Sequence, residues 1–257
     1  MDALDGFAPL PLQEDYDNAG LQVGLTEAEV SGALLCLEAT EQIVDEAREK
    51  GCNMIVTHHP LIFHKLKQIS DTDYVQRTVM KAIQHGITIY SMHTNLDSAE
   101  GGVNYMMARK LGMDMESVRL LGEHEAGGVK GGLGIVGELA EAMSAADFIN
   151  KVKETFGVKM AMTNELFELP IRKVAICGGA GSFMLAQAIE AEADAFLTGE
   201  MHYHEYFGHE QEVQIVVIGH YESEQYTINL LEEIINQRCP EVKTYVTEHN
   251  TNPIIIR

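Results

Sequence analysis

The sequence predicts an α/β fold in which mixed, largely parallel sheets are flanked by helices. Short runs of apolar and β-branched residues alternate with longer segments of helical periodicity, as in βαβ units. Apolar residues make up 46% and charged residues 22% of the 257-residue chain, which is an ordinary globular composition. No stretch reaches the roughly 18 uninterrupted apolar residues that a membrane helix requires. We therefore expect a soluble protein with a sizeable core.

The predicted elements follow one another regularly along the chain. Ser144 precedes an amphipathic segment and is predicted to be the N-cap of a helix. The predicted strands comprise residues 33–37, 53–57, 87–92, 132–136, 173–177, 195–197, 214–218 and 243–246. The predicted helices comprise residues 41–50, 74–85, 101–111, 145–156, 184–192 and 223–237.

Three glycine-containing stretches are open to more than one interpretation. Residues 122–134 (GEHEAGGVKGGLG) are predicted to be an exposed connection between two parts of the chain. Residues 17–24 (DNAGLQVG) are either a functional loop or a turn before the first strand. Residues 177–182 (CGGAGS) follow a strand and open a helix, as phosphate-binding loops do. They lack a complete phosphate-binding motif, which favours a simple tight turn.

Charge and cysteine content restrict the class of partner and the compartment. The chain has 39 acidic and 18 basic residues, with a net charge of −21. Nucleic-acid binding relies on basic residues that neutralise phosphates, so this charge argues against a nucleic-acid partner. The four cysteines form no CxxC pair and are expected to be reduced thiols rather than zinc ligands or disulfides. With no secretory signal or membrane anchor in view, a cytoplasmic location is expected.

Polar side chains of the metal-ligand type follow four predicted strands. In open α/β sheets, ligands bind beyond the carboxyl ends of the strands. Such residues after four separate strands therefore indicate a binding site at a sheet edge. The residues are His58 and His59, then His93 and Asp97, then Glu200, His202 and His204, and finally His220 and Glu224.

The spacing of these residues favours a site for two metal ions. His58 and His59 are neighbours and point in different directions when the chain is extended. His220 and Glu224 are four residues apart; if a helix starts near Tyr221, they can lie on one side of its first turn, where a carboxylate can bridge two cations. Imidazole and carboxylate ligands suit zinc, manganese, iron or nickel. The alternative for each histidine taken singly is an ordinary surface or hydrogen-bonded residue.

Several sequence blocks together resemble the signature of the Nif-three-like family, whose members are often named GTP cyclohydrolase 1 type 2 homologues. The resemblance implies two divalent metal ions per chain and names five metal ligands, of which Glu224 is the bridging one. The blocks are DNAGLQVG at 17–24, THHPLIF at 57–63, HTNLD at 93–97, TGE at 198–200, GHYESE at 219–224 and the ending NTNPIIIR at 250–257. The implied metal ligands are His58, His59, Asp97, His220 and Glu224.

The resemblance also implies an architecture and an assembly. Two interlaced α/β domains are expected, one formed by residues 1–121 with about 225–257 and the other by residues 122–224. The PII-like domain that many longer relatives carry is absent, and the segment before the DNAGLQVG block is short. The implied partner is the chain itself, in a toroidal hexamer whose metal sites face the interior.

The implied function is that of a metal-dependent hydrolase acting on GTP, another nucleotide or a related small molecule. His93, Glu200 and His202 are the candidate catalytic residues, with His93 or His202 as acid or base. Asn18 is expected near the same site. The sequence does not distinguish purine-ring opening from phosphoester hydrolysis. The alternative is a non-enzymatic, metal-binding regulatory or interaction scaffold.

Overall fold

The computed structural model describes all residues, 1–257, and divides into two compact units. The first unit comprises Met1–Leu96 with Thr227–Arg257, and the second comprises Asp97–Tyr226. Each unit contains one β-sheet with helices and its own buried apolar core, which confirms the predicted α/β fold class. No helix in the chain is both long enough and apolar enough to cross a lipid bilayer.

The chain forms eleven strands and nine α-helices, with three short 3₁₀ helices between them. The strands are β1 (Gly20–Val23), β2 (Ala33–Cys36), β3 (Met54–Thr57), β4 (Thr88–Ser91), β5 (Met113–Ala126), β6 (Val129–Met143), β7 (Met162–Thr163), β8 (Ile171–Cys177), β9 (Ala195–Thr198), β10 (Gln214–Val217) and β11 (Thr244–Val246). The helices are α1 (Asp2–Asp5), α2 (Glu41–Glu49), α3 (Tyr74–Gln84), α4 (Thr94–Ser98), α5 (Val103–Leu111), α6 (Ala145–Phe156), α7 (Leu185–Glu190), α8 (His220–Glu224) and α9 (Thr227–Arg238).

The sheet of the first unit has the strand order β1-β4-β3-β2-β11. All neighbouring strands are parallel except β1, which pairs antiparallel with β4 at the sheet edge. Strands β2, β3 and β4 are buried along their whole length, as expected for parallel strands covered on both faces. Because β3 and β4 are parallel neighbours, the residues that follow them emerge at the same edge.

The sheet of the second unit has the strand order β5-β6-β8-β9-β10-β7. Its centre, β8-β9-β10, is parallel, while β5, β6 and β7 pair antiparallel. Phe148 and Phe156 of α6 are buried in the core of this unit. The hydroxyl of Ser144 accepts a hydrogen bond from the Asp147 amide at 3.1 Å, which confirms the predicted N-cap of α6.

The glycine-rich stretch 122–134 lies within a long β-hairpin, so its prediction as an exposed connection was wrong. Gly127 and Gly128 form the hairpin turn with positive φ angles of 61° and 77°. Gly132 provides space in the strand, since a Cβ there would lie 2.7 Å from the carbonyl oxygen of Leu121. These glycines serve turn geometry and close strand packing instead of a flexible linker.

Most other predicted elements are confirmed, and the differences have physical causes. The predicted strand 132–136 is the core of the longer β6, whose ends are too exposed to show a continuous apolar run. Strand β5 was missed because polar residues interrupt its apolar ones and half of its residues are exposed. The predicted helix 223–237 is two helices, α8 and α9. Residues 17–24 were predicted to be either a functional loop or a turn before the first strand. Part of this stretch is instead the edge strand β1.

Candidate metal centre

Three histidines come together beyond the carboxyl ends of β3 and β4. His58 and His59 follow β3 directly, and His93 lies two residues beyond the end of β4. The ring centroids of His58 and His59 are 4.7 Å apart, and each lies 5.3 Å from the centroid of His93. One potential ligand nitrogen of each ring lies within 4.8 Å of those of the other two. Three imidazoles can therefore face one small space in the first unit.

Hydrogen bonds define the orientation of these rings. An oxygen that only accepts hydrogen bonds lies next to Nδ1 of each ring, so the neutral imidazole carries its proton on Nδ1 and its lone pair on Nε2. That tautomer suits metal binding through Nε2. The pairs are His58 with the carbonyl oxygen of Met92 at 2.8 Å, His59 with Oε1 of Glu38 at 3.0 Å, and His93 with Oδ1 of Asp17 at 2.7 Å.

Asp17 is a buried carboxylate that holds His93. Its side chain has no exposed surface, and it also accepts hydrogen bonds from the amide of Thr94 at 3.1 Å and from the Thr94 hydroxyl at 2.5 Å. Burial alone would raise the pKa of Asp17, but the bonds from His93 and Thr94 outweigh it and lower this pKa to about 2. The carboxylate therefore stays ionised at neutral pH and fixes the imidazole.

Glu38 is the carboxylate that holds His59. It lies two residues beyond β2, the strand next to β3, so its side chain reaches the same sheet edge. Burial raises the pKa of Glu38, but hydrogen bonds from His59 and Thr251 bring it below its ordinary value. Sequence reasoning missed Glu38 because the sequence does not show that β2 lies next to β3. The sequence did show an acidic residue just after the β2 strand.

Buried hydroxyls hold the backbone of the turn that carries the histidine pair. Thr57 donates a hydrogen bond to the carbonyl oxygen of His59 at 2.8 Å, and Ser91 donates to the same oxygen at 3.3 Å. The two hydroxyls are 2.7 Å from each other, and both side chains are fully buried. Together with Pro60, which restricts the residue before it, these contacts make the turn rigid.

The second unit contains a different arrangement, in which one histidine lies between two carboxylates. His220 begins α8, and its Nε2 lies 3.2 Å from Oε2 of Glu224 in the next turn of the helix. Its Nδ1 lies 3.2 Å from Oε1 of Glu200, which follows β9. The Glu224 side chain is 5% exposed, whereas that of Glu200 is 52% exposed. The predicted pairing of His220 and Glu224 on one side of a helical turn is confirmed.

Glycines make room for Glu224. A Cβ on Gly179, whose φ is +57°, would lie 2.3 Å from Oε1 of Glu224. The amide of Gly179 donates to the hydroxyl of Ser223 at 2.9 Å, and a Cβ on Gly199 would lie 2.5 Å from the carbonyl oxygen of Gly179. The CGGAGS stretch is thus a tight turn packed against α8, in agreement with the interpretation that the sequence favoured.

Asp97 and Glu224 both act electrostatically on the thiol of Cys177. Burial raises the pKa of the Cys177 thiol, and the negative charges of Asp97 and Glu224 raise it further. Cys177 donates its hydrogen to the carbonyl oxygen of Leu133 at 3.0 Å. All four cysteines are unpaired thiols, and Cys177 remains protonated beside the carboxylates instead of competing as a thiolate ligand.

The structure brings most of the predicted site residues into clusters within each unit. His58, His59 and His93 form a cluster in the first unit, and His220, Glu200 and Glu224 form one in the second. His202 belongs to neither, because it is exposed and caps the 3₁₀ helix Tyr203–Tyr206. Asn18 donates its amide to the carbonyl oxygen of Ile62 at 2.7 Å and so ties the DNAGLQVG block to the THHPLIF block.

The donor sets in both units fit a divalent transition metal. Imidazole nitrogens and carboxylate oxygens are the ligands that zinc, manganese, iron and nickel share. The fit is most direct in the first unit, where the acceptor on each Nδ1 directs a lone pair to Nε2 in all three rings. The histidine cluster of the first unit places its ligand atoms close enough together for a metal site.

Comparison with known proteins gives the same result as the sequence blocks. The sequence profile described as Duf34/NIF3 (NGG1p interacting factor 3) matches residues 1–253. This chain belongs to the NIF3 family. It is 33% identical over 256 residues to a Clostridium acetobutylicum protein named GTP cyclohydrolase 1 type 2 homolog, covering 97% of this chain and 94% of that protein. The predicted resemblance is confirmed.

Two solved structures share the fold. A hypothetical protein of Staphylococcus aureus superposes with a TM-score of 0.89 at 27% identity, covering 100% of this chain and 97% of that one. A Bacillus cereus protein related to NIF3 superposes with a TM-score of 0.86 at 25% identity and the same coverage. The NIF3-family chain therefore keeps the fold of its relatives along its whole length.

Proposed function

We propose that this NIF3-family chain is a metal-dependent hydrolase that binds two divalent metal ions. The main support is the pair His58 and His59, whose Nδ1 atoms both face oxygen acceptors, because that pattern prepares Nε2 for metal binding. The proposed ligands are His58, His59, Asp97, His220 and Glu224.

The proposed chemistry is hydrolysis by an activated water. Two divalent metal ions, when bound, lower the pKa of a bound water and polarise an oxygen of the substrate. The protein holds the ligand side chains in place through Glu38, Thr57 and Ser91. Because these groups are buried or hydrogen-bonded before substrate arrives, little reorganisation is needed during the reaction.

His93 is the proposed proton acceptor. Its Nδ1 is bonded to Asp17, so Nε2 is the atom that takes a proton from water or returns it to a leaving group. The buried Asp17 carboxylate then stabilises the imidazolium that forms, as the acid of a catalytic triad does for its histidine. Glu200 orients His220 in this proposal, and a catalytic part for His202 remains a prediction.

Nucleotides are the proposed substrate class, since the relatives carry the name GTP cyclohydrolase 1 type 2 homolog. Two hydrolytic outcomes have different products. Opening of the purine ring at C8 with loss of that carbon releases formate, whereas phosphoester hydrolysis releases inorganic phosphate. Assays for both products, with GTP and with simple phosphoesters, separate the two reactions.

The first experiment measures metal content by plasma mass spectrometry on untagged protein purified without chelator. We expect about two equivalents per chain, as a dinuclear site requires. His58→Ala and Glu224→Ala are each expected to remove at least one equivalent while the protein stays folded by circular dichroism. His85→Ala is the control, because His85 is the exposed C-cap residue that follows α3.

Three results have different meanings. Full metal content in both ligand variants would show that the ligands are wrongly assigned. A wild-type protein that takes up no metal from manganese, iron or zinc would overturn the proposal. Stoichiometric metal without release of formate or phosphate would favour a metal-binding regulatory or interaction scaffold, which is also compatible with a family described as an interacting factor.

A further inference from the structure

The C-terminal segment of the chain returns to the sheet edge that carries the histidine cluster. Strand β11 pairs in parallel with β2, and the amide of Thr247 continues this pairing with the carbonyl oxygen of Leu35 at 3.0 Å. Four residues later, the hydroxyl of Thr251 donates a hydrogen bond to Oε2 of Glu38. A residue near the end of the chain thus contacts the carboxylate that holds His59.

Glu38 is bonded through both of its oxygens. Oε1 lies 3.0 Å from Nδ1 of His59, and Oε2 accepts from Thr251. Rotation of this carboxylate would lengthen one bond or the other, so Thr251 fixes the plane of Glu38 and Glu38 fixes the ring of His59. With its side chain 33% exposed, Glu38 would otherwise exchange its partner for water.

The same segment is also attached at a second, separate carboxylate. The hydroxyl of Thr247 donates to Oε2 of Glu46 at 2.5 Å, and the amide of Glu248 donates to Oε1 of Glu46 at 2.9 Å. Glu46 lies in α2 and is 5% exposed. Two threonines in one segment therefore donate to two different glutamates, and only the second glutamate, Glu38, is hydrogen-bonded to a clustered histidine.

We infer that Glu38 and Thr251 are positioning residues for His59, and that the C-terminal segment sets the metal affinity of this histidine through them. The inference rests on the proposed function in one respect, namely that His59 is a metal ligand. Loss of a hydrogen-bonding partner behind a metal-binding histidine typically weakens metal binding about 10- to 100-fold. Thr251 acts on this histidine although it lies more than 190 residues after His59 in the sequence.

The experiment compares matched threonine variants by chelator competition with Zn²⁺. Thr251→Val keeps the side-chain volume but removes the hydroxyl donor, and we expect roughly tenfold weaker Zn²⁺ binding. Thr251→Ser retains a hydroxyl and is expected to restore the affinity. Thr247→Val is the control, since it removes the equivalent bond to Glu46 and is expected to leave the affinity within about twofold of the wild type.

A combined variant tests whether Thr251 acts through Glu38. Glu38→Gln alone is expected to weaken Zn²⁺ binding about 10- to 100-fold. Adding Thr251→Val to Glu38→Gln is expected to cause no further loss, because residues in one hydrogen-bonded chain are not additive. Equal losses in Thr251→Val and Thr247→Val, no loss in either, or full additivity in the combined variant would each overturn the inference.

A measurement on metal-free protein separates this inference from the proposed function. The ¹⁵N chemical shifts of the His59 ring report which nitrogen carries the proton. In the wild type we expect the proton on Nδ1, and in Glu38→Ala a mixture of the two tautomers. If the wild type binds no metal, the proposed function fails while this result still decides the positioning role. An unchanged tautomer in Glu38→Ala would overturn that role.

Discussion

The two units hold their histidines by different physical means. In the first unit, Nδ1 of each clustered imidazole is bonded to an oxygen acceptor, so each ring needs only one proton for this contact. In the second unit, both nitrogens of His220 lie 3.2 Å from carboxylates. A neutral imidazole can donate through only one nitrogen. Both contacts of His220 are therefore favourable only when the ring is doubly protonated or when a cation takes the place of one proton.

This difference shows how much of each arrangement is prepared by the fold. Asp17 is fully buried and bonded on several sides, so the position of His93 is decided before any ligand arrives. Glu200 is half exposed, and water competes for it. We conclude that the imidazoles of the first unit are preorganised, whereas the arrangement in the second depends on the charge next to His220.

The largest effect is expected from a change that moves Glu224. Gly179→Ala places a Cβ 2.3 Å from Oε1 of Glu224, which must shift away, and the positive φ adds about 1–2 kcal/mol of strain. We expect the variant to lose metal as Glu224→Ala does. Gly157→Ala has the same kind of backbone strain, with φ +67°, but open space around its Cβ. Metal content in the two variants, measured side by side, isolates the clash.

An equal loss of stability with unchanged metal content in both variants would contradict this account of Gly179. Chemical denaturation supplies the stability, and plasma mass spectrometry supplies the metal content. Gly179→Ala and Gly157→Ala together test whether metal binding in the second unit depends on the position of the Glu224 carboxylate.

The sequence predicted the strands and the ligand types but not the contacts that orient the ligands. Fully buried parallel strands such as β3 have an apolar run that ends at His58, so both the strand and the polar end were visible. The partners of the histidines come from distant parts of the chain. Asp17 lies 76 residues before His93, and their meeting depends on loop positions that no local pattern encodes.

Glycines were the least predictable feature for a related reason. Gly179 and the hairpin glycines are required by what lies opposite them, namely a carboxylate and a neighbouring strand. A sequence shows that a glycine is present, but only the folded structure shows which atoms lie next to it. The glycine-rich hairpin therefore resembled a linker, while its real contribution is close packing.

A smaller effect is expected from Asp17→Asn, which removes the charge behind His93. Because the pKa of Asp17 is lowered to about 2 by folding, its ionised form stabilises the protein above the unfolded pKa near 4, and this stability is lost as the pH falls through about 2. We expect the variant to be roughly 2 kcal/mol less stable at pH 7. Urea unfolding with chelator present measures the difference, with the exposed Asp15→Asn as the control.

The difference between the wild type and Asp17→Asn should shrink as the pH falls from about 4 to about 2, because protonation of Asp17 removes the charge that the variant lacks. A difference that stays constant over this range would mean that the loss comes from packing and not from the carboxylate charge. The preorganisation assigned to the first unit would then have another origin.

The smallest effect is expected from Glu200→Gln in the second unit. Glu200 is 52% exposed, so its attraction to His220 is screened by water, and exposed pairs of this kind are worth about 0–1 kcal/mol. We expect Zn²⁺ affinity to fall by no more than about fivefold, which corresponds to roughly 1 kcal/mol. Glu38 is fixed by Thr251 as well as by His59 and should have a larger effect, so Glu38→Gln measured in the same chelator competition provides the comparison. If Glu200→Gln weakened binding as strongly as Glu38→Gln, the hydrogen bonds that fix the acceptor would not be what distinguishes the two units.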